Sequence, residues 1–451
     1  MTTQLTPPVV RPADNWKFPE AAEDQLSNGI RVLAYQCPGQ YVIAASLLFD
    51  IPLDVEPPDK EGVAAMAARC LSQGAAGRSA EEFADALALC GADLGATASH
   101  DAFTVHLSTP VPHLDKALRL MADVVESPAF DQQEFEHERQ LRLQEIEQAS
   151  AYPQHVAGEQ LNAALFGDSR AARPTGGSAE TVEAIERDDV VTYARDHLQP
   201  VTATMIIAGD FGNVDPIAQV AQAFEAWRHI GRPATARKSV EISDSPQVVL
   251  IDWPDSPQST LRVAGRAVTR DDARWQALFV ANHAVGGSFS SRINTVLREE
   301  KGVTYGASSA LETSRRSGVL NVSTAVRADA TAEAVADIVE ILTAATGTLT
   351  DDEVATAVRA ATESAALGFE RAEAVTSRVE MLLAQGLPPD HVDYNLARLR
   401  EVTTEAANTA YTNVVEADQL TVVVVGEGDK LREPLASWGY ATVREVSPKQ
   451  R

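Results

Sequence analysis

The run Gly286-Gly-Ser-Phe-Ser-Ser-Arg-Ile-Asn-Thr-Val-Leu-Arg298-Glu-Glu-Lys-Gly-Val-Thr-Tyr305-Gly places one cation and one phenol close together in the chain. An arginine offers a planar fork of donors and a tyrosine a rigid O–H, so the two could converge on one carboxylate or peptide carbonyl. The same residue types also suit an arginine that offsets a helix dipole and a tyrosine that fills a core. Residue chemistry alone leaves both readings open.

Stepping outward, Ile293, Val296 and Leu297 recur at i, i+3 and i+4, and Gly302 marks a stop before a β-type run from Val303. Arg298 is therefore expected near the C-terminal end of a helix and Tyr305 near the start of a strand. Gly286-Gly287 is too short for a phosphate cradle and reads as a flexible lead-in to that helix.

A chain of 451 residues is too long for one ordinary core, so two or more domains are expected. Hydrophobic residues at 45% and charged residues at 23% indicate a soluble globular protein. The net charge of −26 argues against a nucleic-acid partner, which would need a basic face. Such a field favours basic peptides over acidic ones, or serves only to keep an Ala-rich surface solvated. The three cysteines Cys37, Cys70 and Cys90 have no C-x-x-C spacing, which fits a reducing compartment. Cys70 and Cys90 read as small buried residues. With neither an apolar segment behind a basic N-terminus nor a run of about 18 apolar residues, a cytoplasmic protein without a membrane span is expected.

Two apolar strands, Thr202-Ala-Thr-Met-Ile-Ile-Ala-Gly-Asp-Phe211 and Leu420-Thr-Val-Val-Val-Val-Gly-Glu427, each follow a helical segment and end in Gly plus an acid. Further matched pairs recur at an offset of roughly 215 residues, which reads as a tandem duplication. Strand blocks followed by helix blocks predict α+β halves, each an antiparallel-rich sheet with helices packed on one face. The boundaries are an extended arm over 1–15, a first domain over 16–232, a linker over 233–246 and a second domain over 247–451.

The duplicated halves and the Gly-Gly…Ser-Arg…Leu-Arg-Glu…Gly-Val-x-Tyr signature resemble the insulinase/pitrilysin family of zinc peptidases, and within it the mitochondrial-processing-peptidase-like branch. The resemblance covers nearly the whole chain after the arm. It implies that Arg298 and Tyr305 contact a bound peptide backbone near its cleavage point. It also implies a zinc motif, H-x-x-E-H, in the first half, where two histidines hold the metal and the glutamate takes a proton from its water. The matching segment runs from Glu61 to Gly74 and lacks that chemistry: Ala65 and Arg69 stand at the histidine positions and Ala68 at the base position. Glu145, in a Glu-Ile step, matches the third ligand. One carboxylate beside a cation is a poor zinc site, so no metal is expected in this chain, and Arg69 is expected to pair with Glu145.

His100 and His106, with Asp101 near them, lack a third ligand and read as structural or surface residues. Glu134, His137 and Glu138 lie in a strongly charged stretch that reads as solvated helix. Arg173-Pro-Thr-Gly-Gly-Ser178 reads as a plain loop. The resulting expectation is a non-catalytic, substrate-binding subunit of a heterodimeric zinc endopeptidase. A homologous partner chain would bring the zinc, and the pair would enclose a peptide held by strand addition. The alternative is a catalytically silent scaffold subunit of a larger complex.

Overall fold

The computed structural model describes residues 16–228 and 237–446; the arm expected over 1–15 lies outside the described residues. Two six-stranded mixed sheets form the framework. The first contains β1 (Ala21–Gln25), β2 (Arg31–Gln36), β3 (Val42–Phe49), β4 (Asp93–Ala98), β5 (Phe103–Pro110) and β6 (Ala203–Gly209), in the order β1-β2-β6-β3-β5-β4. The second contains β7 (Gln247–Asp252), β8 (Gln258–Ala267), β9 (Thr304–Thr313), β10 (Gly318–Arg327), β11 (Thr421–Gly426) and β12 (Val443–Val446), in the order β12-β7-β11-β8-β10-β9.

The strands from β2 to β6 and from β7 to β11 repeat one order and one set of directions. β2 runs parallel to β6 as β7 does to β11, and the remaining neighbours are antiparallel. The duplication read in the sequence is thus a duplication of topology. Only the outermost strand differs, because β1 precedes β2 and pairs antiparallel, whereas β12 comes from the far end of the chain and pairs parallel to β7.

The central strands are buried along almost their whole length, β11 at every residue. A strand buried on both sides needs cover on both, which is why these strands are nearly continuous apolar runs. Each half packs its own helices on one face, as expected, but the opposite face is covered by a helix from the other half. Helix Ala372–Ala384 of the second half lies on β3 and β6, and helix Pro153–Phe166 of the first half lies on β8 and β11. Val156, Leu161 and Leu165 therefore share a core with Val423 and Val425, while Val375 and Val379 share one with Leu48 and Ile206.

Ion pairs reinforce this exchange. Asp50 accepts from Arg237 and, at 3.0 Å, from Arg315; Asp101 Oδ2 accepts the Arg315 backbone N–H at 2.9 Å; Asp54 pairs with Arg316. His106 belongs to the same junction, its Nδ1 lying 3.6 Å from Glu380 Oε2 of the exchanged helix, whose carboxyl burial pushes above its ordinary pKa. Of the expected linker, residues 237–246 run against the second sheet, where Ser243 N–H donates to Leu165 O at 2.8 Å. Among the described residues no helix is long and apolar enough to cross a membrane.

Because each sheet depends on a helix from the other half, the chain should unfold as one unit. Leu161→Ala, at a site 3% exposed, should cost about 2–4 kcal/mol in urea unfolding and keep a single transition. Two separated transitions would show that the halves are independent.

Candidate functional site

The helix that matches the zinc motif, Val63–Leu71, is held at its N-terminus by a buried carboxylate. Glu56 Oε1 accepts the N–H groups of Gly62 and Ala64 at 3.1 and 3.0 Å, meeting donors that the first helical turn leaves free. Its Oε2 accepts from Arg170 at 2.9 Å. Burial raises the Glu56 carboxyl, with Arg170 opposing the shift. The segment Arg173–Ser178, expected as a plain loop, is instead a clamp on this helix. Arg173 grips Glu61 through Nε and Nη2, each at 2.6 Å, and Gly177 sits at φ 72°, where a Cβ would overlap the Glu61 carbonyl.

In the last turn of that helix stands Arg69, at a position expected from the resemblance to hold a metal ligand. Its Nη1 and Nη2 donate to Glu145 Oε2 and Oε1 at 3.1 and 3.0 Å, and its Nε to Glu138 Oε2 at 2.9 Å. Gln73 Nε2 donates to the other oxygen of Glu138 at 3.0 Å. The pairing of Arg69 with Glu145 matches the expectation. Glu138 does not, since it is 8% exposed and faces Arg69 rather than solvent. The i, i+4 count put it on a charged face without showing that this face packs on the other helix.

These residues do not fit a zinc ion. No imidazole is supplied, and the planar guanidinium already engages both oxygens of Glu145. Ala68 is buried and carries no proton-accepting group. The arrangement can therefore neither polarise a carbonyl nor activate water, and it serves as a rigid tie between helices.

At the second half's signature, the helix breaks into π-helical stretches at His283–Gly287 and Thr295–Glu300, a distortion that recurs at functional sites. Gly286 is not a flexible lead-in. A Cβ there would come within 2.5 Å of the Ser309 side chain, so the glycine allows close contact between helix and β9. Asn294 fastens the two: its Nδ2 donates to Ala307 O at 2.9 Å and its Oδ1 accepts Ala307 N–H at 2.8 Å. Asn282 does the same at Ser309, donating to its carbonyl at 3.0 Å and accepting its hydroxyl at 2.5 Å. Two asparagines thus set the register between the Arg298 helix and the Tyr305 strand.

Arg298 lies in the last turn of its helix, as expected, with its guanidinium 3.9 Å from the Phe289 ring centre and Nη1 2.9 Å from Glu299 Oε1. Tyr305 is the second residue of β9 and is 91% exposed. Arg298 and Tyr305 share no hydrogen bond. Phe289 is also largely exposed, so two aromatic rings stand uncovered beside the half-buried Arg298 at one end of the second sheet, an arrangement that commonly marks a contact surface. Sequence reasoning passed over Phe289 and both asparagines, although all but Asn282 lie inside the quoted signature.

Beside β4, at the equivalent edge-strand position in the first half, lies a cavity of about 710 Å³ bordered by Asp93, Gly95, His106 and Thr376. Among the described residues β4 pairs only with β5, so its outer backbone groups are open. β9 has its edge occupied at Ala307 and Ser309 by the asparagine side chains.

Residues 32–179 match the model of the insulinase family (peptidase family M16), and residues 184–361 match that of the peptidase M16 inactive domain. The chain belongs to the insulinase family. A Mycobacterium tuberculosis protein named as an uncharacterized zinc protease is 27% identical to this M16 chain over 421 residues, covering 91% of this chain and 94% of the relative. Among solved structures, a peptidase M16 inactive domain from Pseudomonas fluorescens superposes with a TM-score of 0.83 at 22% identity, covering 90% of this chain and 98% of that one. A chain of complex III2 from Candida albicans does so with a TM-score of 0.74 at 17% identity, over 92% and 99%. These likenesses establish the shared fold.

Two outcomes follow for this M16 chain. Glu353 receives Arg292 Nε and Nη2 at 2.6 and 2.7 Å, and this pairing holds its carboxyl down at about 2 from an ordinary 4.5. The depressed value means the contribution is present above pH 4.5 and is lost as pH falls through 2. Glu353→Gln should lower stability by about 1–3 kcal/mol at pH 7, with the difference shrinking as the pH is lowered through that window. The combined change Ala65→His, Ala68→Glu and Arg69→His should create a zinc site, read by metal analysis as close to one equivalent retained after gel filtration.

Proposed function

We propose that this chain is the non-catalytic, substrate-binding subunit of a heterodimeric zinc metalloendopeptidase of the processing-peptidase-like branch. The observation that carries this reading is the contrast between the two halves. In the first, a guanidinium sealed against two carboxylates fills the zinc position. In the second, Tyr305 and Phe289 are exposed and the half-buried Arg298 lies between the Phe289 ring and Glu299, on a framework fixed by Asn282 and Asn294. A chain that had merely lost its activity would have no need to keep an exposed phenol in register with this arginine.

The chemistry divides accordingly. An unfolded peptide adds as a strand along the open edge of β4, where main-chain hydrogen bonds supply affinity without regard to sequence. Arg298 and Tyr305 then hold one of its carbonyls in position for a metal brought by a homologous partner with an intact H-x-x-E-H motif. Binding and orientation come from this chain, and carbonyl polarisation and water activation from the partner. The acidic surface favours basic peptides as cargo.

The catalytically silent scaffold remains a second reading, favoured by the likeness to a chain of complex III2. The two differ in what the pair of Arg298 and Tyr305 does. In the assembled heterodimer, Arg298→Ala should lower kcat/KM for peptide cleavage by about 10- to 100-fold and Tyr305→Phe by a smaller factor. Unchanged kcat/KM in both variants would leave the scaffold reading in place.

A further inference from the structure

The second half contains a cavity that peptide binding does not use. It measures about 410 Å³ and lies among helices Trp275–Asn282, Asp351–Glu363, Ala372–Ala384 and His391–Arg400, in the size range of small-molecule sites. Its walls are largely apolar and aromatic, with Trp275, Phe369 and Leu396 among them. Into this lining project the side chains of Arg270, Arg378 and His391.

In a chain with 64 acidic and 38 basic residues, these two arginines have no acidic partner among the described residues. Arg270 donates from Nε to Thr313 Oγ1 at 3.2 Å and stacks 4.7 Å from the Trp275 ring centre. Arg378 lies 5.5 Å from the Phe369 ring centre. Burial, with the charge of Arg378 adding to it, pushes the Arg270 guanidinium down to about 10, and burial lowers Arg378 as well. Both stay charged at neutral pH. His391 is 8% exposed, and its Nε2 has no hydrogen-bond partner among the described residues. Burial, followed by Arg270, lowers its pKa, with Asp390 and Asp271 opposing the shift.

Two neighbouring cations taken out of water without a counter-charge are unfavourable, and a buried ring nitrogen without a partner adds to that cost. Proteins ordinarily meet such a cost with a carboxylate; Asp271 and Asp390 lie near His391, yet among the described residues neither forms an ion pair with Arg270 or Arg378. The missing negative charge is therefore one that a ligand would bring. We infer that the cavity binds a small organic carboxylate, its anionic end between Arg270 and Arg378 and its apolar body against Trp275 and Phe369. The planar guanidinium fork matches a carboxylate, and an apolar wall suits a single charge on a hydrophobic body better than a phosphate with three exposed oxygens.

The test is calorimetric titration of the full chain with three probes: 2-naphthoate, the uncharged 2-naphthamide of the same shape, and inorganic phosphate. The naphthoate should bind saturably with Kd below about 1 mM, and the other two at least tenfold more weakly. Arg378→Leu should weaken naphthoate binding at least tenfold. The ligand-free variant should also melt at or above the Tm of the natural chain, since it loses an uncompensated cation, whereas loss of a merely structural arginine would lower the Tm. No naphthoate binding, equal binding of the amide, preference for phosphate, unchanged binding by the variant, or a lowered Tm would each overturn the assignment.

Discussion

The central strands of each sheet are buried on both faces, and the helices that each half packs on its own sheet cover only one. This constraint organises the molecule. The remaining face of each sheet is closed by a helix lent from the other half, so that Leu161 completes the second core and Val379 the first. The ion pairs of Asp50 with Arg237 and Arg315 and of Asp54 with Arg316, and the hydrogen bond from Arg315 N–H to Asp101, lie across the same junction. The pairs at Asp50, which keeps contact with water, orient the halves more than they stabilise them, whereas Asp54 and Arg316 are largely buried.

That mutual closure gives the functional surfaces a fixed frame. The open edge of β4 borders a cavity whose other side is formed by the exchanged helix Ala372–Ala384. The Arg298 helix is tied to β9 by asparagine side chains that occupy the strand's own edge groups. The two equivalent edges thus differ, one open and one closed, although the topology that makes them is duplicated. A similar divergence separates the helices at the zinc position and at the signature. The first is locked by Arg69 and its two carboxylates, and the second sets a half-buried arginine beside an exposed phenol.

Much of this was legible in the sequence. The duplication showed because β-strand and helix periods recur in parallel in both halves, whereas the continuous run Val422-Val-Val-Val425 reads by itself only as an apolar strand with helices on one face. The pairing of Arg69 with Glu145 was legible because both occupied positions of one inferred site. The exchanged helices were not, since Pro153–Phe166 and Ala372–Ala384 have no strong amphipathic pattern to say which sheet they cover. Glu138 was misplaced for a related reason: a charge count along one helix cannot show which residues a second helix will bury. Gly286 was misread as flexibility because only the approach of Ser309 reveals the need for a missing side chain. Asn282 and Asn294 act through backbone groups far from them in sequence, and no spacing rule points to such bonds.

The central claim is a division of labour in which this chain holds peptide and a related chain supplies the metal. It is tested most directly by measuring cleavage of an unfolded basic peptide by this chain alone, by a homologous H-x-x-E-H chain alone, and by the two mixed, with and without a zinc chelator. The account predicts cleavage by the mixture only, abolished by the chelator. Chelator-sensitive cleavage by this chain alone would contradict it.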